Sequence, residues 1–579
     1  MSVTSVLERV LDFSKTINIL EASMIYSVAW SILALLAFGQ NAEPPQFLAA
    51  DVHVSARTQN QGMRPPSARS ERYEVKNATM VDLIALAYSS NSTKILGGPS
   101  WLEMDRFDVI AKQPPQTSAD TQKLMLQSLL KERFKLVVRE ETQPLPINVL
   151  TVGKKLQLKE ADGSGETGCK PQSSAAPAGT GDNTLRVQFS TNGGAPVQLT
   201  LLNGMIEYKC RNMTMAAFVD ALRGMLGANL GVNPVLDQTG LSGKWNFDLR
   251  YTLGLITPFG AQSGERITIS DAIDKQLGLK LEAKPLPTAV LVVESVNQKP
   301  SGNPPGTAEA LPTIAAPTEF EVATVKVSNP DSRGGRFQMQ PGGRLNSEGM
   351  PLRFLITRAF NTNSNDQLTG IPSWADTARF DVIAKAPSDG TPQPFIDPDV
   401  LAPMMLALLK DRFKLSYHTE ERELQAYSLV AAKPKMKKAD PSSRAWCKNP
   451  NQVPGAPPAP PGTQALICQN ITMTQFADML RGRAQDLQMP ILDSTGIEGG
   501  WDFTLTFNPV VGLNLTAVAA LRPPEAGAPG TSSPAAADPT AGLSIYEALE
   551  KQIGLKLEKQ KRSTQVFVID HIEQTPTEN

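Results

Sequence analysis

Hydrophobic and polar positions alternate along Arg106 to Lys112, with Phe107, Val109 and Ala111 on one face and Arg106, Asp108, Ile110 and Lys112 on the other. A period of two predicts a half-buried strand. The same seven residues recur at Arg379 to Lys385. Before each copy, Met80 to Tyr88 and Met350 to Phe360 carry helical apolar spacing, and Pro99-Ser100-Trp101 or Pro372-Ser373-Trp374 intervenes. After the strand, Lys123 to Phe134 places Leu126, Leu129, Leu130 and Phe134 at helical intervals, matched by Met405, Leu408, Leu409 and Phe413. The runs Lys135 to Glu140 and Ile147 to Val152 are separated by a polar turn with Pro144 and Pro146, and predict a hairpin.

A similar order comes next along the chain. Met215 to Met225 predicts a helix, then come a short strand, an Asp-x-Thr-Gly turn and an alternating strand at Trp245 to Leu249. Ser270 to Leu277 predicts a helix with Gly278 as its C-cap. A last strand, Ala289 to Val293, matches Gln565 to Ile569. The fold class expected is α+β: a tandem duplication in which each repeat holds two small helix–strand–helix–hairpin modules with antiparallel or mixed sheets. In pattern, each module resembles the secretin/TonB short N-terminal domain, a small periplasmic α+β unit.

The duplication is explicit in the letters. Arg133-Phe134-Lys135-Leu136 recurs at Arg412 to Leu415, and Leu236 to Gly240 at Leu492 to Gly496. Asn212 to Met215 matches Asn470 to Met473, and Gly278 to Glu282 matches Gly554 to Glu558. The offset is 273 at Arg106, 279 at Arg133, 258 at Asn212, 256 at Asp237 and 276 at Gly278. Its large jumps fall in Ala/Pro/Gly/Ser-rich tracts at 170–199, 448–465 and 520–542, which read as solvated loops. The organisation expected is an N-terminal segment at 1–42, repeats at 45–296 and 319–575, a semi-extended Pro-rich linker at 297–318, and a tail at 576–579.

Composition narrows the function class. The 579 residues carry 56 Lys+Arg against 57 Asp+Glu, a net charge of −1. Such a balance gives no bulk attraction to nucleic acid or anionic lipid. Histidine occurs only at His53, His418 and His571, too sparsely for a multi-histidine zinc centre. Met24 to Gly39 is a sixteen-residue run without a charge. That is short for a membrane span and suits a signal-peptide core, cut after Gly39 or Ala42 or kept as a short anchor. The segment before it carries Glu8, Asp12 and Glu21 against Arg9 and Lys15, so Met24 is an alternative start. The location expected is therefore exported, periplasmic or cell-envelope.

Four cysteines divide two per repeat: Cys169 and Cys210, Cys447 and Cys468. Pairing within each repeat would close each variable tract at its neck, at about 3–4 kcal/mol of loop-closure stabilisation. Free thiols or a metal site are the alternatives, the latter disfavoured by the lack of CxxC spacing. Disulfides fit an oxidising compartment.

No catalytic constellation stands out. There is no G-x-S-x-G, phosphate loop or dinucleotide fingerprint. Asp237-x-Thr239-Gly240 and Asp493-x-Thr495-Gly496 read as Asp-stabilised turns. Arg106 with Asp108, and Arg379 with Asp381, read as cross-strand ion pairs. Trp101, Trp374, Trp245 and Trp501 read as core or loop anchors, and His418 and His571 as surface strand positions. Asn77, Asn91, Asn212 and Asn470 match N-x-T or N-x-[ST] sequons of little meaning in a bacterial export context.

Phe320 to Lys326, Pro372-Ser373-Trp374 with Arg379 to Pro387, Leu408 to Glu423 with His418, Asp493 to Phe503, and Ile569 to Asn579 together resemble a soil-associated domain family of unknown function, named from Solibacter and expanded in Acidobacteria. The motifs span nearly all of the chain after the export segment. The first copy departs: it begins Phe47 to His53, has Arg139 where His418 stands, and reads as lacking the final Pro-Thr-Glu-Asn. Some members of that family fuse the domain to a membrane metallopeptidase with HExxH. This chain has no HExxH and reads as the extracytoplasmic part alone.

The function expected is a non-enzymatic binding or sensing module with an unknown protein, peptide or glycan ligand in the envelope. No nucleic acid, cofactor or metal is expected, and membrane contact only through residues 24–39. A periplasmic hydrolase using unidentified carboxylates, and a structural adaptor of a secretion or uptake complex, are the alternatives.

Overall fold

Phe107, Val109 and Ala111 are completely buried, and Arg106–Lys112 is an inner strand of its sheet. This is seen in a computed structural model of the chain. It describes residues 44–56, 62–69, 71–172, 184–189, 197–202, 205–226, 235–252, 267–312, 316–329, 335–340, 342–362, 365–387, 397–453, 455–457, 459–460, 463–484, 487, 489–509 and 543–578. The chain divides into Met1–Gln46 and Phe47–Asn579, and the described strands and helices all belong to the second unit. The expected export segment lies outside the described residues, as does the tract 520–542.

In repeat 1 the strands are β1 Ala49–Val54, β2 Arg64–Arg69, β3 Arg72–Thr79, β4 Ile95–Gly97, β5 Arg106–Lys112, β6 Val137–Val152, β7 Lys159–Glu160, β8 Gly168–Gln172, β9 Thr184–Phe189, β10 Val197–Leu202, β11 Met205–Met213, β12 Val235–Asp237, β13 Trp245–Thr252 and β14 Leu279–Ser295. The helices are α1 Met80–Ala87, α2 Ala119–Phe134, α3 Met215–Leu226 and α4 Ile269–Ala272, the last continuing as a π turn to Leu277. A first sheet, β1-β5-β3-β2, packs with α1 and α2 around Phe107, Leu83, Leu130 and Phe134. A second, β7-β13-β11-β10-β9 with β8 against β11, packs with α3 around Phe218, Leu249 and Ile273. Between them runs an antiparallel two-stranded ribbon, β6 with β14. Leu291 and Val293 enter the first core, Leu150 and Leu279 the second. Short parallel strands cap it: β4 on β14 at one end, β12 on β6 at the other.

Repeat 2 has the same plan. After α5 Thr307–Ala310, its strands are β15 Val322–Val327, β16 Arg336–Gln340, β17 Arg344–Pro351, β18 Leu368–Thr369, β19 Arg379–Lys385, β20 Ser416–Ala431, β21 Lys437–Lys438, β22 Trp446–Lys448, β23 Gln464–Ile471, β24 Ile491–Asp493, β25 Trp501–Phe507 and β26 Leu555–His571. Its helices are α6 Leu352–Ala359, α7 Pro398–Phe413, α8 Met473–Leu480 and α9 Ile545–Ala548. The sheets run β15-β19-β17-β16, β18-β26-β20-β24 and β21-β25-β23-β22. The class is α+β with antiparallel and mixed sheets.

Two expectations are corrected. The hairpin after the second helix does not form. Lys135 is the left-handed cap of α2, and Val137–Val152 is one strand running through Pro144 and Pro146 to pair with β14. Pro144 faces Pro287 and Pro146 faces Pro285 across the ribbon. Proline survives in a strand where its missing N–H points to an open edge, and the middle of a two-stranded ribbon is all edge. The tract 170–199 is not loop throughout: β9 and β10 pair antiparallel within it. The start of the linker is tied to repeat 1. Ser301 donates to the Arg133 carbonyl at 2.8 Å, and Asn303 accepts from Val52 at 3.2 Å and from the Arg133 guanidinium at 2.6 Å. Thr577 donates to the Arg412 carbonyl at 2.8 Å, and the Arg412 guanidinium donates to the Glu578 carbonyl. Pro300 to Asn303 is thus the first copy's counterpart of Pro576 to Asn579, at the offset of 276.

One device recurs in all four modules. A β-bulge precedes the first helix, at Val75/Ala78, Cys210/Met213, Ser347/Met350 and Cys468/Ile471. Its pivot has positive φ: Asn77 56°, Asn212 51°, Gly349 63° and Asn470 49°. Asparagine and glycine tolerate that region best. The pivot's N–H is accepted by Asp108 at 2.8 Å, Asn246 at 2.9 Å, Asp381 at 2.7 Å and Asp502 at 2.9 Å, from the neighbouring strand. In three modules a threonine two residues on, Thr79, Thr214 or Thr472, accepts from an N–H in the first turn of the helix. The sequon-like Asn-x-Thr at Asn77, Asn212 and Asn470 is therefore a bulge followed by a cap.

The repeats also dock on each other. Glu103 pairs with Arg444 at 3.2 Å and with Lys448 at 2.5 Å, all three side chains no more than a quarter exposed. Ala445 donates to Ser100 at 2.9 Å, and Met104 packs against the core of the fourth module. Arg64 meets Asp397 and Asp399, each at 2.7 Å.

Candidate functional site

Where two copies keep the same skeleton, positions that differ on an exposed face carry the specialisation. The ribbon offers such a position. In repeat 1, Arg139 reaches Glu141 at 2.6 Å and Glu294 at 2.8 Å. In repeat 2, His418 Nδ1 lies 2.7 Å from Asp570 and Nε2 lies 3.9 Å from Glu420. The offsets of 279 and 276 make these the same three places. A guanidinium between two carboxylates in one copy is an imidazole between two carboxylates in the other. Arg422 extends the cluster, contacting Glu420 and donating to Thr369 Oγ1 at 3.2 Å.

The long strands build this cluster by register. His418 sits opposite Val568, which leaves Asp570 diagonal to it on the same face. A neutral His418 with its proton on Nδ1 donates to Asp570 and keeps Nε2 as an acceptor. A protonated ring donates from both nitrogens. His418 is half-exposed, so each contact is worth about 1 kcal/mol or less. The arrangement suits a polar recognition surface.

The two Asp-x-Thr-Gly motifs are turns. Asp237 accepts from the Thr239 N–H at 2.9 Å, and Asp493 does the same for Thr495 at 2.9 Å. Gly240 and Gly496 both have φ of 65°. Cys169 faces Cys210 across β8 and β11, and Cys447 faces Cys468 across β22 and β23, each pair disulfide-bonded. These bonds indicate an oxidising, exported environment. Arg106 and Asp108 do not pair with each other, and the cross-strand partner of Asp108 is His53, whose Nε2 lies 3.7 Å away on β1. Arg106 donates to the Asn77 carbonyl at 2.8 Å while Asp108 accepts the Asn77 N–H, so both grip the bulge; Arg379 and Asp381 treat Gly349 alike. Trp101 packs edge-on to Phe107, Trp245 is buried in its core, and Trp374 and Trp501 pack against theirs. His571 lies on the surface, 3.9 Å from Glu573.

Burial shifts several groups. It raises the Tyr73 hydroxyl to about 12. It pushes the Arg444 guanidinium down, with Glu103 opposing. Burial would raise Glu74, but hydrogen bonding to Arg72 and the charges of Lys76 and Arg72 outweigh it and hold the carboxyl low. Among the described residues, no three His, Cys, Asp or Glu side chains are grouped to hold a metal ion. No described helix is long and apolar enough to cross a membrane.

Sequence reasoning placed the cysteines and turns but missed the ribbon cluster. The signal available was the matched offset of Arg139 and His418, combined with that of Glu294 and Asp570. No curated protein and no solved structure matches the chain. A family described as "Protein of unknown function (DUF3738)" matches twice, over residues 81–296 and 353–572. The chain therefore belongs to the DUF3738 family and carries two of its domains in tandem.

Proposed function

We propose that this chain is an exported, non-enzymatic binding or sensing module of the cell envelope, with repeat 2 presenting the ligand-facing surface. One observation carries the reading. The copies keep their bulge clamps and disulfides while the exposed ribbon face diverges, Arg139 to His418. A scaffold held constant beneath a changed surface fits recognition. The disulfides and the uncharged run Met24 to Gly39 support export.

A hydrolase is the second reading. The His418–Asp570 pair, at 2.7 Å, is what favours it, since a carboxylate-oriented histidine is two parts of a general-base triad. Half-exposed and polar, that pair lacks the desolvation that tunes a catalytic base. The experiment is affinity capture from envelope extract with the intact oxidised chain and with His418→Arg, read by mass spectrometry. The reading expects a ligand retained by the native chain and weakened in the variant. Equal recovery from both, or none above a scrambled control, overturns it.

A further inference from the structure

The two ribbons differ most along their outer edges. In repeat 2, Tyr427 donates to Pro490 at 2.8 Å and Leu429 accepts from Ser494 at 2.9 Å, both bonds running outward from β20 beside β24. Backbone direction alternates along a strand, so Thr419, Glu421, Glu423 and Gln425 also point outward. The register then turns Lys559, Lys561, Ser563 and Gln565 outward on β26. All eight are exposed. Among the described residues, β24 covers β20 only at Tyr427 to Leu429, and β18 covers β26 only at Phe567 and Val568.

In repeat 1 the same reasoning starts from Leu150, which accepts from Gln238 at 2.9 Å beside β12. The outward places there include Pro144 and Pro146 on β6 and Pro285 and Pro287 on β14. Their equivalents are Glu423, Gln425, Lys561 and Ser563. Four outward donors are thus deleted in repeat 1 and kept in repeat 2. Proline blocks strand addition by any partner. Charged side chains on an edge are selective instead: they repel strands of like charge and admit those of opposite charge.

Resting on the binding-module reading, we propose that the outer edge of β26 in repeat 2, over Lys559 to Gln565, takes an extended acidic peptide segment of a partner as an added strand. Outward N–H and carbonyl groups of Lys559, Lys561, Ser563 and Gln565 supply the ladder. Lys559, Lys561 and Arg562, all exposed, select the acidic partner by charge. The matching edge of repeat 1 does not bind, because Pro285 and Pro287 leave no ladder to join.

The test titrates the intact oxidised chain with a capped eight-residue peptide alternating Thr and Glu, and with its Thr/Lys analogue, at low salt. The acidic peptide is expected to bind, to weaken as salt rises, and to lose at least ten-fold in affinity in Ser563→Pro. That variant copies a residue repeat 1 already accommodates at Pro287. The Lys559→Glu/Lys561→Glu/Arg562→Glu variant, which keeps every backbone donor, is expected to reverse the preference toward the Thr/Lys peptide. Binding unchanged in both variants, or no binding at millimolar peptide, overturns the proposal. So does self-association of the chain that Ser563→Pro abolishes, since the occupant would then be a second copy. An envelope ligand still captured by Ser563→Pro would sink the edge while leaving the binding-module reading intact.

Discussion

Asp108 Oδ1 accepts the backbone N–H of Asn77 at 2.8 Å and the hydroxyl of Ser55 at 2.5 Å. One carboxylate thus holds the bulge pivot and the end of β1 against β5. Asn246 does the first job in the second module with an amide oxygen. Asp108→Ala should therefore cost about 2 kcal/mol, since it strands a partly buried N–H. Asp108→Asn should cost less than half as much. Urea unfolding of both variants checks this, and equal losses would mean that charge rather than an acceptor is required.

This clamp shows where sequence reasoning reached and where it stopped. Phe107, Val109 and Ala111 announced their strand because a period of two is local. Leu126, Leu129, Leu130 and Phe134 announced α2 for the same reason. The pairing of Val137–Val152 with Leu279–Ser295 spans more than a hundred residues and leaves no local mark. Worse, Pro144 and Pro146 mimic a turn. β9 and β10 do alternate, at Leu185, Val187 and Phe189 and at Val197, Leu199 and Leu201, but a small-residue tract hid them. The repeat offsets align Arg139 with His418 and Glu294 with Asp570, but that His418 and Asp570 touch follows only from the ribbon register.

Glu103 neutralises Arg444 and Lys448 across the junction between repeats. Glu103→Ala leaves two poorly exposed cations unpaired, at a cost of about 3 kcal/mol. Glu103→Ala/Arg444→Met should recover part of it, because an apolar pair removes the orphaned charge. Differential scanning calorimetry should show the single variant splitting the transition and the double variant restoring it. A single variant with native behaviour would mean that Met104 and the backbone bond suffice.

The tail acts as a strap. Glu573 donates to Phe413 at 2.8 Å and Thr577 to Arg412 at 2.8 Å, as Asn297 does to Phe134 at 2.7 Å and Ser301 to Arg133 at 2.8 Å. Removing residues 574–579 should lower the stability of repeat 2 by about 1–2 kcal/mol. Faster hydrogen exchange at the C-terminal end of α7, but not of α2, is the expected readout.

Stability should fall at both ends of the pH range for assignable reasons. Glu74 has its folded pKa lowered, so its contribution is present above the ordinary Glu range near about 4.3 and is lost as pH falls through the folded value. Glu74→Gln should flatten the acid limb and cost about 1 kcal/mol at neutral pH. Tyr73 is raised to about 12, so its contribution is full below the unfolded value near about 10 and is lost as pH climbs toward about 12. Tyr73→Phe should remove on the order of 2 kcal/mol of alkaline destabilisation. Guanidinium unfolding at acid, neutral and alkaline pH measures both.

The claim that repeat 2 carries the ligand-facing surface is tested most directly by residue-resolved hydrogen exchange. The intact oxidised chain would be compared with and without its captured envelope ligand. Protection should rise at Lys559, Lys561, Ser563 and Gln565 and stay level along Val137–Val152 and Leu279–Ser295. Protection confined to the repeat 1 ribbon, or no change along β26, would contradict the account.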